Sequence, residues 1–166
     1  CGNRPVIFSS DYENMLSLEE LDRAAVHALE QISGIQSFRL TNRIRTNAEI
    51  SSFIQNMMCL PERKKGRHFP HVTVMYANDD READVLLSDA QHQGYQVILN
   101  EAEPAICADR LAMVLDQRYF YDRQNYLRSD DRSVRRLFHQ LNGAKEELLL
   151  VVKQNEPLYA VLLDLL

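Results

Sequence analysis

The chain has 166 residues, 45% of them hydrophobic, and a formal net charge of −5. This is enough length and apolar content for one domain with a real core, while the acidic balance excludes a nucleic-acid binder that works by bulk positive charge. Cys1, Cys59 and Cys107 form no metal-ligand spacing and no disulfide framework. They imply a reducing cytoplasm, with Cys59 and Cys107 as small buried hydrophobes. No apolar run approaches the ~20 residues that cross a bilayer, so no membrane partner is expected.

Pro5 to Ser9 has the character of a short buried strand. Ser17 and Glu20 then form a capping-box pair, followed by Leu18, Leu21, Ala25, Ala28, Leu29 and Ile32 at helical spacing and by Gly34 as a stop. Ser37 to Asn42 alternates polar and apolar residues, as a half-buried strand does. Thr46 sits three residues before Glu49, the spacing of a second capping box. Ile50, Phe53, Ile54, Met57 and Met58 give the helix behind it one broad apolar face. Arg43 and Arg45 therefore fall in a strand-to-helix turn, where ligands collect in open α/β sheets. Solvated loop charges are the alternative.

Pro61 to His68 is a polar loop carrying Arg63, Lys64, Lys65 and Arg67, either a solvated connection or a contact to a phosphate backbone. His71 to Ala77 is a strand. Asn78 or Asp79 caps a helix bearing Ala83, Leu86, Leu87 and Ala90, which Gly94 ends. Tyr95 to Leu99 returns as a strand, and Arg110 to Asp116 has the pattern of a central, doubly buried one. Asp130 caps a helix with Val134, Leu137, Phe138 and Leu141 on one face. Asn142-Gly143 stops it, the glycine taking a left-handed cap. Glu147 to Lys153 is the last strand. A final helix starts near Asn155 and Pro157 and carries Leu158, Val161, Leu162 and Leu165. The alternation implies one α/β domain over residues 1–166, with a parallel sheet of roughly five or six strands covered on both faces. Cysteine at position 1 and an apolar helical pattern running to Leu166 mark the expected ends of a fragment of a longer chain.

With only five glycines, the chain contains no G-x-x-x-x-G-K-[ST] phosphate loop and no G-x-G-x-x-G. H-E-x-x-H and C-x-x-C are absent too, and Asp79-Asp80 and Asp130-Asp131 are placed as helix caps, so no metal ligands are assigned. A small metabolic enzyme finds no nucleophile–base pairing here.

Several segments nevertheless stand in a familiar order. Ile7 to Leu16, with Ser10, Asp11 and Asn14, resembles the segment closing a first ATPase domain. Leu40-Thr-Asn42-Arg43-Ile-Arg45-Thr46-Asn47 resembles the helicase motif whose arginine reaches the nucleotide, with Arg45 the matching residue. Leu111 to Asp116, followed by Phe120-Tyr121-Asp122, resembles the strand and aromatic segment after the next motif. Leu137 to Val152 resembles the last motif, usually Leu-Thr-Arg-Ala-Lys-Glu. Together they resemble the C-terminal RecA-like half of a bacterial family of superfamily-1-like ATP-binding proteins related to schlafen-type helicase domains.

That resemblance implies a three-layer RecA-like fold of the P-loop NTPase type, with a mainly parallel sheet and helices on both faces. It further implies nucleotide contacts from Asn14, Arg43, Arg45 and Lys145, and nucleic-acid contacts from Asp109 and the Arg63, Lys64, Lys65 and Arg67 loop. No catalysis is expected from the chain alone. ATP and Mg would enter only with an upstream ATPase domain or partner chain, and DNA or RNA would be the further partner. The departures are specific. Asn14 stands where the family has Gln. Glu103 to Asp109 replaces a glycine followed by an acidic residue, of which Asp109 alone looks retained. Gly143 stands where the arginine finger belongs, a group worth roughly 10³–10⁵ in rate. A degenerate, non-catalytic module for nucleic-acid or protein contact, which kept the scaffold after losing the chemistry, is the alternative.

Overall fold

Helices and strands alternate through a computed structural model that describes residues 47–63, 66–99, 106–129 and 131–166. In chain order they are α1 (Ala48–Met58), β1 (Val72–Ala77), α2 (Asp80–His92), β2 (Gln96–Ile98), β3 (Ala108–Leu115), β4 (Phe120–Tyr121), β5 (Leu127–Arg128), α3 (Asp131–Leu141), β6 (Ala144–Lys153) and α4 (Glu156–Leu165). The expected strands at 5–9 and 37–42, and the helix after Ser17, lie outside the described residues. So do the candidate contacts Asn14, Arg43, Arg45, Lys64 and Lys65.

β1, β6, β3 and β2 pair in that order, all parallel. β6 lies between β1 and β3, and its run Leu148 to Val152 is buried without a break, as a strand with covered faces requires. On one face Ala77, Ala112, Leu149 and Val151 pack with Ala83, Leu87 and Ala90 of α2. Their alternating neighbours Val72, Val74, Leu111, Met113, Leu115, Leu148, Leu150 and Val152 are buried on the other. α1 and α4 pack on each other, α1 also on β6, and α4 on both β1 and β6. Ile50, Phe53, Ile54 and Met57 of α1 have no solvent exposure. The result is an α/β fold with a parallel sheet, and it fits a three-layer arrangement. Among the described residues no helix is long and apolar enough to cross a membrane.

The caps refine the expected boundaries. Asn47, not Thr46, is the N-cap of α1: its side-chain oxygen accepts from the Glu49 N–H at 2.9 Å. Asparagine is at least as good a cap as threonine, and the Asn47 N–H is itself used by the carbonyl of Lys145 at 3.2 Å. Asp79 caps α2 by accepting from the Glu82 N–H at 2.8 Å. The Glu82 carboxylate accepts from the Asn78 backbone and side chain, bonds that hold its pKa below the usual range. Gly94 ends α2 at φ +90°. There the Tyr95 N–H reaches the carbonyl of Ala90 and the Gly94 N–H that of Gln91, a Schellman pattern that needs left-handed backbone.

Gly143 does not follow Gly94. It has no positive φ, so the expected left-handed cap is wrong there. A Cβ at position 143 would sit 1.9 Å from the carbonyl oxygen of Ile106. The glycine is required by close backbone approach, and its own carbonyl accepts the Ala108 N–H at 3.0 Å. β3 and β6 consequently start earlier than expected, at Ala108 and Ala144, because backbone pairing continues past the apolar run into Lys145-Glu146-Glu147.

The β4–β5 hairpin was not expected. It turns through Asp122 to Asn125, with Asn125 at φ +62°. Asp122 accepts from the N–H groups of Gln124 and Tyr126 and from Arg128 Nε. Those bonds, the Tyr126 one foremost, hold its carboxyl below the usual range. Asx-type turn residues between aromatic and apolar pairs were the available signal. Cys59 and Cys107 also depart from expectation. Cys59 is half-buried and Cys107 is exposed.

Candidate functional site at the amino edge of the sheet

The Asn47 N–H to Lys145 carbonyl bond ties the start of α1 to the start of β6. Two segments distant in sequence, the one following Arg43 and Arg45 and the one containing Gly143 and Lys145, therefore meet at the amino ends of the strands. Asp109 of β3 joins them, its carboxylate 3.3 Å from the Lys145 ammonium. Glu49 and His71 approach within 3.7 Å at the same edge. The structure thus brings together Lys145 and Asp109 from the sequence-derived candidates, with Asn47 added by the fold.

An open cavity of about 500 Å³ lies beside this pair, lined among others by Gln93, Gly94, Cys107, Arg110, Lys145 and Glu146. Its two cations differ. Arg110 donates to Glu147 at 2.9 Å and to the carbonyl of Gln93 at 2.9 Å, and lies 5.7 Å from the centre of the Tyr95 ring. The Glu147 carboxylate also accepts from the Tyr95 hydroxyl at 2.6 Å. Burial first, then this bond, pushes the phenol up to about 12. Arg110 is thereby committed to the C-terminal end of α2. Lys145 is half-exposed and faces one exposed carboxylate, an arrangement that water and competing anions can reach.

Two cations of the basic loop are used internally. Arg67 donates to the hydroxyl of Ser52 on α1 at 2.9 Å, and Arg63 pairs with Asp164 of α4 at 2.6 Å. Their bonds clip the described ends of the loop to two helices, α1 and α4.

The carboxyl edge holds a second cavity, of about 270 Å³, that sequence reasoning missed. Asp80, Asp84, Asp116, Arg118 and Lys153 line it over an apolar floor that includes Leu87, Ile98 and Met113. Ligands of parallel sheets usually bind at this edge. The Asn47–Lys145 bond puts the start of α1 at the opposite, amino edge, so the expected ligand-collecting position for the turn before α1 is not met. In the carboxyl-edge cavity, however, Lys153 is paired with Asp80 at 2.6 Å and Arg118 with Asp116 at 2.9 Å. Burial alone would raise the Asp116 carboxyl, but the Arg118 side chain and backbone, with help from Lys153, hold it below the usual range. The first turn of α2 is itself acidic, which disfavours a phosphate there. The arrangement instead fastens α2 to the strands.

Comparison with known proteins finds no matching family model, no similar curated protein and no similar solved structure.

Proposed function

We propose that this chain is the second RecA-like domain of a helicase-like ATP-binding protein. It contributes nucleotide contacts, and contacts to DNA or RNA, and is not catalytic alone. The observation that carries this reading is the Asn47–Lys145 backbone bond. It supports a single site made from two of the segments that carry the helicase resemblance. ATP and Mg would be held by an upstream ATPase domain or partner chain, with Arg43, Arg45 and Lys145 facing the phosphates as charged donors. Asn14 would belong to the same nucleotide contact. Lys64 and Lys65 would add to nucleic-acid contact more than Arg63 and Arg67, whose donors already serve α4 and α1.

A specific observation favours a second reading for part of the chemistry. Position 143, where the resemblance places an arginine finger, has no room for a side chain. A domain that kept the scaffold for binding and lost transition-state stabilisation fits this, as would a non-catalytic interaction module.

Nucleotide and oligonucleotide binding, measured on this chain and on the longer protein carrying the ATPase domain, tests the proposal. Arg45→Ala and Lys145→Ala should each weaken nucleotide binding in the longer protein while the fold persists. Unchanged affinity and turnover in both variants would leave the interaction module as the better account.

A further inference from the structure

We infer that Asp109 is a built-in counter-ion that competes with anionic ligand for Lys145, so that it restrains phosphate binding at the amino edge. The inference rests on the proposed nucleotide contact of Lys145 and adds a regulatory element to that site. Asp109 and Lys145 are the second residues of adjacent parallel strands, paired through Ala108 and Ala144. The pairing is irregular just past that point, since Arg110 stands opposite Glu147, and there the carboxylate lies beside the ammonium, at 3.3 Å. Of the two cations lining the cavity, Arg110 is already spent on Glu147, the Gln93 carbonyl and the Tyr95 ring. Lys145 is therefore the cation a phosphate can recruit.

To recruit it, the phosphate must take the place of Asp109. That carboxylate is 68% exposed and Lys145 49% exposed, so the side chains can separate without opening the core. An exposed ion pair of this kind is weak enough to exchange, and a polyphosphate brings more charge to the ammonium than one carboxylate does. Asp109 accordingly sets a threshold. A weakly charged anion does not displace it and a polyphosphate does.

The test is titration of the 166-residue chain with inorganic tripolyphosphate at low ionic strength, read by calorimetry. Asp109→Asn should tighten binding roughly three-fold, the scale of an exposed ion pair, and Asp109→Glu should restore the original affinity. Lys145→Ala should weaken binding. Glu146→Gln removes the same charge from the same cavity, and it should change affinity much less than Asp109→Asn. Equal tightening by Glu146→Gln and Asp109→Asn would show a bulk charge effect and overturn the inference. Weaker binding in Lys145→Ala without tightening in Asp109→Asn would overturn the inference and leave the Lys145 contact standing. Binding that is absent, or indifferent to Lys145→Ala, would overturn both.

Discussion

Gly143 and Ile106 approach so closely that a single methyl group cannot be placed between them: a Cβ on residue 143 would meet the Ile106 carbonyl oxygen at 1.9 Å. The obstacle is backbone, which cannot swing aside as a side-chain end does. Gly143→Ala should therefore destabilise the domain by about 3 kcal/mol, the upper end of overpacking costs, and thermal or urea melting would show it. Gly143→Arg should be at least as damaging and, under the proposed function, should not confer ATP turnover when the chain is joined to an ATPase domain. A stable Gly143→Arg variant with raised turnover would contradict both the steric argument and the proposed loss of the finger.

Asn47 carries the N-cap of α1. Asn47→Ala should cost about 1 kcal/mol, because it leaves an orphan N–H at the first turn. Thr46→Ala should cost less, since the residue before the cap has no such duty. Parallel melts of the two variants decide the matter, and the reverse order would return the cap to Thr46.

Much of the α/β alternation was legible because burial writes itself into period. The apolar run inside Arg110 to Asp116 marked a doubly buried strand and Glu147 to Lys153 a further one. Ile50, Phe53, Ile54 and Met57 marked a helix face, and the buried residues lie accordingly. What stayed hidden depended on contacts distant in sequence. Gly143 looks like a helix stop in any window, and only the approach of Ile106 gives its actual reason. Thr46 and Asn47 are both good caps, and the choice follows from geometry around the helix start, where Asn47 also meets Lys145. Lys153–Asp80 joins β6 to α2 and Asp109–Lys145 joins β3 to β6, elements far apart in the chain. No spacing rule reaches them.

The basic loop offers a contrast between its two described arginines. Arg67 bonds the hydroxyl of Ser52, a residue only 8% exposed, and its loss strands a polar group near the core. Arg67→Ala should cost about 1 kcal/mol. Arg63→Ala breaks a surface pair with Asp164 and should cost less than about 1 kcal/mol, falling as salt is added. If the loop contacts nucleic acid, Lys64 and Lys65 should carry its salt dependence. Each lost phosphate contact would reduce the slope by roughly 0.7–0.9. Oligonucleotide titrations across salt concentration, beside melts of both arginine variants, separate the two roles.

Tyr95 supplies a pH signature for the network around Arg110. Its phenol is neutral when it donates to Glu147, and burial together with that bond raises its pKa from about 10 in an unfolded chain to about 12. The unfolded state therefore loses its proton first as pH rises. The contribution is fully present below pH ~10 and is lost progressively as pH climbs toward the folded value. Tyr95→Phe keeps the ring beneath the Arg110 guanidinium but removes the donor. It should lower stability by about 1 kcal/mol at neutral pH and flatten the decline between pH 10 and 12. Glu147→Gln should flatten the same limb, because the carboxylate that favours the neutral phenol is gone, and should also release Arg110 from its 2.9 Å partner. Chemical denaturation at several pH values, with far-ultraviolet circular dichroism as the readout, follows both variants. An alkaline limb unchanged in Tyr95→Phe would assign that pH dependence to groups other than this phenol.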